Sequence, residues 1–180
     1  RQMCIRDSNN KDKNIVLIGF MGSGKTSVGK RLSLVLKREF IDTDDFIEKR
    51  EGMTINEIFK KKGEEEFRKI ERELYKRFST PKKKIIATGG GVIKNSANIA
   101  NLKKGGVIVY LKSSPEKIAQ NLKFDNTRPI LQVDDKEAKI RELLAQREPF
   151  YNKYAEITID VSNYDIDHTV DKIIELAKVW

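Results

Sequence analysis

The residues GFMGSGKT at positions 19–26 constrain this chain more than any other feature of its sequence. They match the eight-residue phosphate-binding loop, or P-loop, in full. An apolar run at residues 15–18 precedes them and a helix-period segment follows, so the expected context of strand, loop and helix is present. Glycines let successive backbone amides converge on phosphate oxygens. The sequence therefore predicts a nucleoside-triphosphate site in which Lys25 reaches the outer phosphates and the Thr26 hydroxyl binds Mg²⁺.

Length and composition limit the remaining possibilities. The 180 residues, 38% of them hydrophobic and 35% charged, fit one soluble globular domain. We expect residues 1–13 to be a flexible leader that need not be native, and residues 14–180 to form a single domain. Cys4 is the only cysteine, so the sequence has no disulfide framework and favours a reducing cytoplasm. No apolar run is long enough to cross a bilayer.

The formal net charge of +9 leaves two interpretations open. One is a lysine-rich solvated surface, and the other is a basic P-loop protein that binds nucleic acid. The lysine clusters at residues 60–62 and 82–84 lie at the ends of predicted elements and are not interleaved with aromatic residues. This arrangement favours the solvated surface. The chain also lacks the Asn-Lys-x-Asp guanine-reading motif, which argues against a GTPase.

Short apolar runs alternate with helix-period segments, which is the pattern of a parallel α/β sheet. Residues 15–18, 85–87 and 107–111 are continuously apolar, as strands buried on both faces are. Residues 157–161 alternate between apolar and polar, so they predict a strand nearer the edge. A short strand at residues 40–42 completes a sheet of five.

Three local features predict where helices and loops lie. The apolar stripe of the helix after the first strand is predicted to include Val35. Pro149 is predicted to end a later helix near Glu148, because the residue before a proline disfavours helical geometry. Residues 124–133 have no clear period and contain Arg128 before a proline, so they predict a mobile loop.

Two carboxylates follow the second predicted strand, at Asp42 and Asp44. Alternation along an extended chain would place both on the same side. The carboxyl ends of parallel strands face the ligand crevice, so one carboxylate near Mg²⁺ and one near an acceptor hydroxyl is a workable division. A cluster that only caps the following helix is the alternative for this pair.

Arginines at core-facing positions predict an acidic ligand. Arg147 continues the apolar stripe of Ile140 and Leu143, where a guanidinium needs a fixed anion because unpaired burial is costly. Arg68 lies at the border of another stripe, and a salt bridge to Glu64 or Glu71 is its structural alternative. Together with the loop Arg128, these arginines suggest an acceptor with a carboxylate and a lid that completes the site.

Three consecutive glycines, Gly89, Gly90 and Gly91, follow the apolar run at residues 85–87. Glycine at the end of a central strand indicates that something approaches the backbone closely. We expect that neighbour to be a ligand, because an ordinary turn needs only one or two glycines.

Taken together, these motifs resemble the shikimate kinase family over nearly the whole chain, from about residue 14 to residue 178. The motifs occur in the family's order: the P-loop, FIDTD at residues 40–44, INEIFKKKGEEEFRKIE at residues 55–71, ATGGG at residues 87–91, TRPIL at residues 127–131 and REPFY at residues 147–151. The stretch at residues 55–71 is the most specific of them.

The resemblance implies a three-layer α/β/α P-loop fold like that of nucleoside-monophosphate kinases, with a five-stranded parallel sheet in the order 2-3-1-4-5. It implies substrate-binding helices at about residues 44–78 and a lid at about residues 123–133. The implied reaction transfers the γ-phosphoryl group of ATP to the 3-hydroxyl of shikimate, in the biosynthesis of aromatic amino acids. A monomeric cytoplasmic enzyme with Mg²⁺, and without nucleic-acid or membrane partners, is expected.

The resemblance also assigns roles to individual residues. Asp44 is the candidate general base, while Lys25 and the lid residue Arg128 neutralise charge on the transferred group. Thr26 binds Mg²⁺ and Asp42 supports it, through water. The residues implied to bind ATP are Gly22, Ser23, Gly24, Lys25, Thr26, Ser27 and Arg128. Those implied to bind shikimate are Asp44, Arg68, Gly89, Gly90, Gly91 and Arg147.

The chain departs from the family pattern beside the expected adenine. Many members have an arginine about two turns before the lid arginine and another after the last strand. Here those places are near Asn121 and near Asn163 and Tyr164. Tyr164 could replace an arginine by stacking on the base, and nucleotide selectivity is then looser. A gluconate-type or nucleotide-type kinase on the same fold remains the nearest enzyme alternative.

Overall fold

The computed structural model describes residues 10–125, 128 and 131–179. All strand pairs in it are parallel, and the strand order is β2-β3-β1-β4-β5, so the predicted sheet is confirmed. The strands are β1 (Asn14–Ile18), β2 (Phe40–Asp42), β3 (Ile85–Ala87), β4 (Gly106–Lys112) and β5 (Ile157–Asp160). Of the predicted loop at 124–133, residues 126, 127, 129 and 130 lie outside the described residues, as do residues 1–9 of the leader.

Helices connect the strands and cover both faces of the sheet. The α-helices of the described chain are α1 (Lys25–Leu36), α2 (Thr43–Glu51), α3 (Ile55–Arg77), α4 (Ser96–Gly105), α5 (Pro115–Asn121), α6 (Lys136–Tyr154) and α7 (Ile166–Ala177). Gly63 interrupts α3 with a φ of 84° and a ψ of 163°, so this element consists of two helical segments. Short 3-10 helices follow β3 at Val92–Lys94 and β5 at Val161–Asn163. No helix of the described residues is both long and apolar enough to cross a membrane.

The central strand β1 divides the apolar core into two layers. Val16 and Ile18 point into a cluster with side chains of α3 and α4, whereas Ile15 and Leu17 point into a cluster with α1 and α7. All four are fully buried. This packing explains why the run reads as continuously apolar, since successive side chains of a strand alternate between two covered faces.

Residues 10–13, at the end of the segment expected to be a leader, contact the domain. Asn10 donates through its backbone amide to the Lys178 carbonyl at 3.1 Å and through its side chain to the Ala177 carbonyl at 2.8 Å. The Arg38 guanidinium donates to the carbonyls of Lys11 and Lys13, both at 2.7 Å. These bonds join the start of the described chain to α7 and to the end of α1.

Two helix predictions are wrong. Val35 is 48% exposed although it lies only about 20° round α1 from the buried Val28, because it belongs to the last turn of the helix. The helix predicted to end near Glu148 continues through Pro149 to Tyr154. The buried Tyr151 accounts for this continuation: its ring stacks on Tyr110 with centroids 4.9 Å apart, and that tertiary packing outweighs the local effect of the proline.

Candidate active site

The P-loop joins the end of β1 to the start of α1, at the carboxyl edge of the sheet. Gly22 and Gly24 have φ values of 77° and 92°, in the left-handed region that glycine adopts without strain. Gly24 is the N-cap of α1 and has no side chain to cap it, and the Val28 amide makes the first helical bond, to the Gly24 carbonyl. The amides between them have no intrahelical acceptor, so this helix start can bind phosphate oxygens.

Lys25 lies folded over the loop that precedes it. Its ammonium donates to the carbonyls of Gly19 at 2.7 Å and Phe20 at 2.9 Å. Burial lowers the pKa of Lys25 to about 8, and Arg128 lowers it further, while Asp44 and Asp42 act in the opposite direction. Lys25 is therefore the centre of a group of charged side chains contributed by separate elements.

Asp42 is both the last residue of β2 and the N-cap of α2. One carboxylate oxygen accepts the backbone amides of Asp44 at 3.1 Å and Asp45 at 3.2 Å, and the other accepts the Thr26 hydroxyl at 3.0 Å. The expectation that Asp42 and Asp44 alternate along an extended chain is wrong, because the helix starts at Thr43. Asp42 caps the helix, as the alternative held, and it also contacts the P-loop.

Asp44 projects from the first turn of α2 toward the glycine triplet. Burial raises the pKa of Asp44 to about 6, and Glu71 and Asp42 add to the increase, while Lys25 and Arg128 oppose it. A carboxyl group with this pKa is largely ionised at neutral pH and accepts a proton more readily than an exposed aspartate does.

Each glycine of the triplet faces a different charged side chain. A Cβ at Gly89 would lie 2.8 Å from an Asp44 carboxylate oxygen, and a Cβ at Gly91 would lie 3.0 Å from an Arg68 guanidinium nitrogen. At Gly90 the corresponding distance, to Arg147 Nη1, is 3.4 Å. The sequence predicted a ligand as the close neighbour of these glycines. The structure brings three predicted site residues against them, and the absence of glycine side chains makes room for all three, while the ligand itself stays a prediction.

Arg68 is paired with a carboxylate from its own helix. Its guanidinium lies 2.6 Å from Glu71 and 3.5 Å from Glu64. The Glu71 side chain is only 3% exposed, and burial raises its pKa although Arg68 opposes that effect. Sequence reasoning named this pair but missed that Glu71 is buried. The signal was available, because Glu71 lies four residues after Phe67 and three before Leu74, on the apolar stripe of α3.

Arg147 is half-buried on α6, as its place on the apolar stripe predicted. Its guanidinium carbon lies 5.4 Å from the centre of the Phe20 ring, and while burial raises the pKa of Tyr151, the positive charge of Arg147 opposes that increase. The Tyr151 hydroxyl in turn donates to the Gly90 carbonyl at 3.1 Å. Within the described part of the chain, no carboxylate lies within 4.0 Å of Arg147. Its charge is thus available to an external anion.

The predicted catalytic and metal-binding residues line one cleft of about 230 Å³ beside the P-loop. Arg128 enters this cleft from the lid segment, and its Nε lies 3.0 Å from the Asp125 carboxylate. The predicted site residues that line the cleft are Gly22, Gly24, Lys25, Thr26, Ser27, Asp42, Asp44, Gly89, Gly90 and Arg128. Arg68, Gly91 and Arg147 are not part of that lining, although Arg147 lies beside Gly90, which is.

A second, larger cleft of about 1020 Å³ lies on the other side of the P-loop. Ser23 and Tyr164 line it, and Tyr164 is 43% exposed. The hydroxyls of Ser23 and Ser113 are buried and have no hydrogen-bond partner among the described residues. Sequence reasoning missed Ser113, because a serine after a strand has no distinguishing pattern. Each hydroxyl oxygen has almost no exposed surface, so a ligand in this cleft would reach it only after the serine side chain rotates.

An open parallel sheet with a P-loop at its central strand, next to a cleft with a half-buried carboxyl and two cations, defines a P-loop kinase that acts on a small molecule. A sequence model described as shikimate kinase matches residues 21–178. The chain belongs to the shikimate kinase family.

Individual relatives agree with this membership. The chain is 51% identical over 162 residues to a shikimate kinase of Caldanaerobacter subterraneus subsp. tengcongensis, a match that covers 90% of this chain and 94% of that one. It is 48% identical to a shikimate kinase of Thermodesulfovibrio yellowstonii, over 91% of this chain and 94% of that one.

Solved structures show the same likeness. The structure of a shikimate kinase from Acinetobacter baumannii in complex with shikimate superimposes with a TM-score of 0.86 at 39% identity, and covers 94% of this chain and 95% of that one. A gluconokinase from Sinorhizobium meliloti superimposes with a TM-score of 0.53 at 16% identity, over 93% of this chain and 95% of that one. The second match shows a shared fold alone.

Proposed function

We propose that this chain transfers the γ-phosphoryl group of ATP to the 3-hydroxyl of shikimate. The observation that carries the proposal is the set of contacts around the glycine triplet. A half-buried carboxyl of raised pKa lies at Gly89, and a half-buried guanidinium without a carboxylate partner in the described chain lies at Gly90. A base and an anion-binding group therefore lie beside two adjacent glycines, next to the P-loop. A small organic acid with a hydroxyl group fits this arrangement.

ATP is the co-substrate, and the proposal assigns its phosphates to the P-loop. The uncapped amides at the start of α1 bind phosphate oxygens, together with the Lys25 ammonium. The residues assigned to ATP are Gly22, Ser23, Gly24, Lys25, Thr26, Ser27 and Arg128. The nucleoside is assigned to the larger cleft, where the partly exposed Tyr164 offers an aromatic face.

Mg²⁺ fits the donor set beside the P-loop. The Thr26 hydroxyl and the Asp42 carboxylate lie 3.0 Å apart, and both are the oxygen donors that Mg²⁺ prefers when phosphates and water complete its shell. In the proposal Thr26 binds the ion directly and Asp42 supports it through water. The ion would neutralise charge on the phosphates. Removing it with EDTA should abolish turnover, and added Mg²⁺ should restore it.

Arg68 and Arg147 are proposed to bind the carboxylate of the acceptor from two sides. Arg147 supplies a guanidinium whose charge no carboxylate offsets nearby, and Arg68 is held in place by the buried Glu71. Planar guanidinium groups can form paired hydrogen bonds with a carboxylate, which fixes its orientation. Gly89, Gly90 and Gly91 leave space for the ring of the acceptor between these groups.

The chemical step follows from these positions. Asp44, ionised above pH about 6, accepts the proton of the 3-hydroxyl as the new O–P bond forms. The electron pair of the broken bridging P–O bond leaves with ADP. Lys25 and Arg128 offset the negative charge that develops on the transferred group. Positioning and electrostatics thus account for the catalysis that we assign to this site.

A coupled ADP-release assay tests the proposal. With Mg·ATP we expect turnover with shikimate, and rates at least about a hundredfold lower with gluconate or AMP, because gluconate lacks the ring that fits beside the glycine triplet and AMP has no carboxylate for the guanidinium pair. Comparable rates with gluconate or AMP would contradict the assignment of the acceptor.

The proposal also includes a monomeric cytoplasmic enzyme that does not bind nucleic acid. The competing interpretation, a basic nucleic-acid-binding protein, requires affinity that falls steeply between 50 and 200 mM salt, on the order of a thousandfold for several phosphate contacts. Fluorescence anisotropy with a labelled RNA and a labelled DNA oligonucleotide separates the two interpretations. Tight, steeply salt-dependent binding would favour the competing one.

A further inference from the structure

The end of α5 contacts the P-loop at one residue, Gly22, from two directions. The Asn121 side-chain amide donates to the Gly22 carbonyl at 2.8 Å. On the other side, Leu122 packs so closely that a Cβ at Gly22 would lie 2.7 Å from Leu122 Cγ. Asn121 lines the larger cleft and Leu122 lines the smaller one, so the two residues hold Gly22 at the boundary between them.

The hydrogen bond from Asn121 fixes the orientation of one peptide plane of the P-loop. The Gly22 carbonyl and the Ser23 amide belong to the same planar group and point in opposite directions. The Ser23 amide donates to the Phe20 carbonyl at 3.1 Å, so this plane is held at both of its edges. Gly22 is also the residue with a φ of 77°, at which the loop turns. A loop held in this way loses less conformational freedom when it binds phosphate.

The same helix end is connected to the lid. The Lys136 ammonium donates to the carbonyls of Leu122 and Asp125, both at 3.1 Å, and the Asp125 carboxylate accepts from Arg128. Arg128 lines the smaller cleft with Lys25. The end of α5 is therefore the place where the P-loop and the start of the lid are joined.

We propose that Asn121 is a positioning residue for the triphosphate, and that it acts by holding the Gly22 carbonyl rather than by contacting the base. This role differs from that expected of an arginine beside the adenine at this place in the chain. The amide of Asn121 is already engaged with the P-loop backbone, 99 residues away in sequence. The inference rests on the proposed binding of ATP at the P-loop.

Calorimetric titration with two ligands tests the inference. Mg·ATP has a base, whereas Mg·tripolyphosphate has only the phosphates. We expect Asn121→Ala to weaken binding of both ligands by the same factor, about fivefold, as for the loss of one hydrogen bond. Gln120→Ala is the matched control, because it removes a side-chain amide from the adjacent exposed position of α5 and should leave both affinities unchanged.

Three outcomes are decisive. Weaker binding of Mg·ATP with unchanged binding of Mg·tripolyphosphate means that Asn121 contacts the base, and it overturns the inference. Unchanged binding of both ligands also overturns it. The Lys25→Ala variant tests separately the assumption that ATP binds at the P-loop. If this variant retains full affinity for Mg·ATP, the proposed phosphate site itself is wrong.

A second variant covers the possibility that Asn121→Ala lowers the unfolding midpoint. Asn121→Asp keeps the shape of the side chain but replaces its donor with an acceptor that faces the Gly22 carbonyl. We expect Asn121→Asp to weaken the binding of both ligands more than the charge-matched control Gln120→Glu does. Equal effects of these two variants would leave only the added charge as the cause and would overturn the inference.

Discussion

Burial brings the pKa values of Asp44 and Lys25 closer together. Burial disfavours the charged form of each, so the pKa of Asp44 rises to about 6 and that of Lys25 falls to about 8. Between these values the carboxyl is ionised and the amine is protonated. Those are the states that proton removal and charge neutralisation need, and the two shifts set the pH range in which both exist together.

The pH profile of kcat/KM for shikimate follows from this pair. We expect a bell shape, with activity lost below about pH 6, where Asp44 is protonated, and above about pH 8, where Lys25 is neutral. Asp44→Asn should lower kcat by at least about a hundredfold with little change in the affinity for ATP, and the residual activity should lack the acidic limb. Steady-state kinetics from pH 5 to 9 provide the measurement. A fully active Asp44→Asn enzyme would exclude Asp44 as the base.

At the scale of single elements, local patterns predicted each described strand but not every helix end. Continuous apolar runs marked the central strands because both faces of the sheet are covered. The start of α2 was missed, since Asp42 reads equally well as the end of a strand and as an N-cap, and in the structure it is both. The continuation of α6 past Pro149 depends on the contact of Tyr151 with Tyr110, which no local rule contains.

The candidate site shows the same division between local and distant information. Motifs within a few residues of one another, such as the P-loop and the glycine triplet, could be recognised from spacing. What the spacing did not reveal is that each glycine faces the side chain of a different helix, Asp44 of α2, Arg68 of α3 or Arg147 of α6. Those contacts form only when the chain is folded.

The glycine triplet gives a prediction that belongs to this scale. Gly89→Ala would place a methyl group 2.8 Å from the Asp44 carboxylate, so the base must move and kcat should fall by about tenfold. Gly91→Ala would place one 3.0 Å from Arg68, so KM for shikimate should rise instead. Steady-state kinetics of the two variants separate the effects. Identical effects of both on kcat and KM would contradict the assignment of separate neighbours.

For the whole molecule, the P-loop divides two clefts at one edge of the sheet. Among the residues that the structure describes, only Gly22, Gly24 and Ser27 line both of them. The larger cleft is assigned to the nucleoside. The smaller cleft is assigned to the phosphoryl transfer, and Arg68 and Arg147 are assigned to the acceptor. Each substrate therefore meets its own set of side chains, and the two sets meet at the phosphates.

This division predicts independent effects of substitutions on its two sides. Arg147→Lys should raise KM for shikimate by about tenfold or more, because an ammonium cannot form the paired contact, and should leave KM for ATP unchanged. Tyr164→Ala should raise KM for ATP alone, and Tyr164→Phe should not, since the ring is retained. In the double variant Arg147→Lys/Tyr164→Ala the effects should add as free energies.

One control variant and two further outcomes test that independence. Arg141→Lys, at an exposed position of the same helix as Arg147, should change neither constant. An unchanged KM for shikimate in Arg147→Lys would remove Arg147 from the acceptor site. Strong non-additivity in the double variant would show that the two clefts communicate.

The buried Glu71 also sets the charge stoichiometry beside the triplet. Arg68, Arg147 and the neighbouring Lys94 contribute three positive charges, and Glu64 and Glu71 remove two while both are ionised, so these side chains sum to a single positive charge. A ligand with one carboxylate balances that sum, whereas a dianion would leave one negative charge uncompensated beside these half-buried guanidinium groups. The internal carboxylate of Glu71 thus lowers the net positive charge of the pocket, which favours an acceptor with one carboxylate over an acceptor with two.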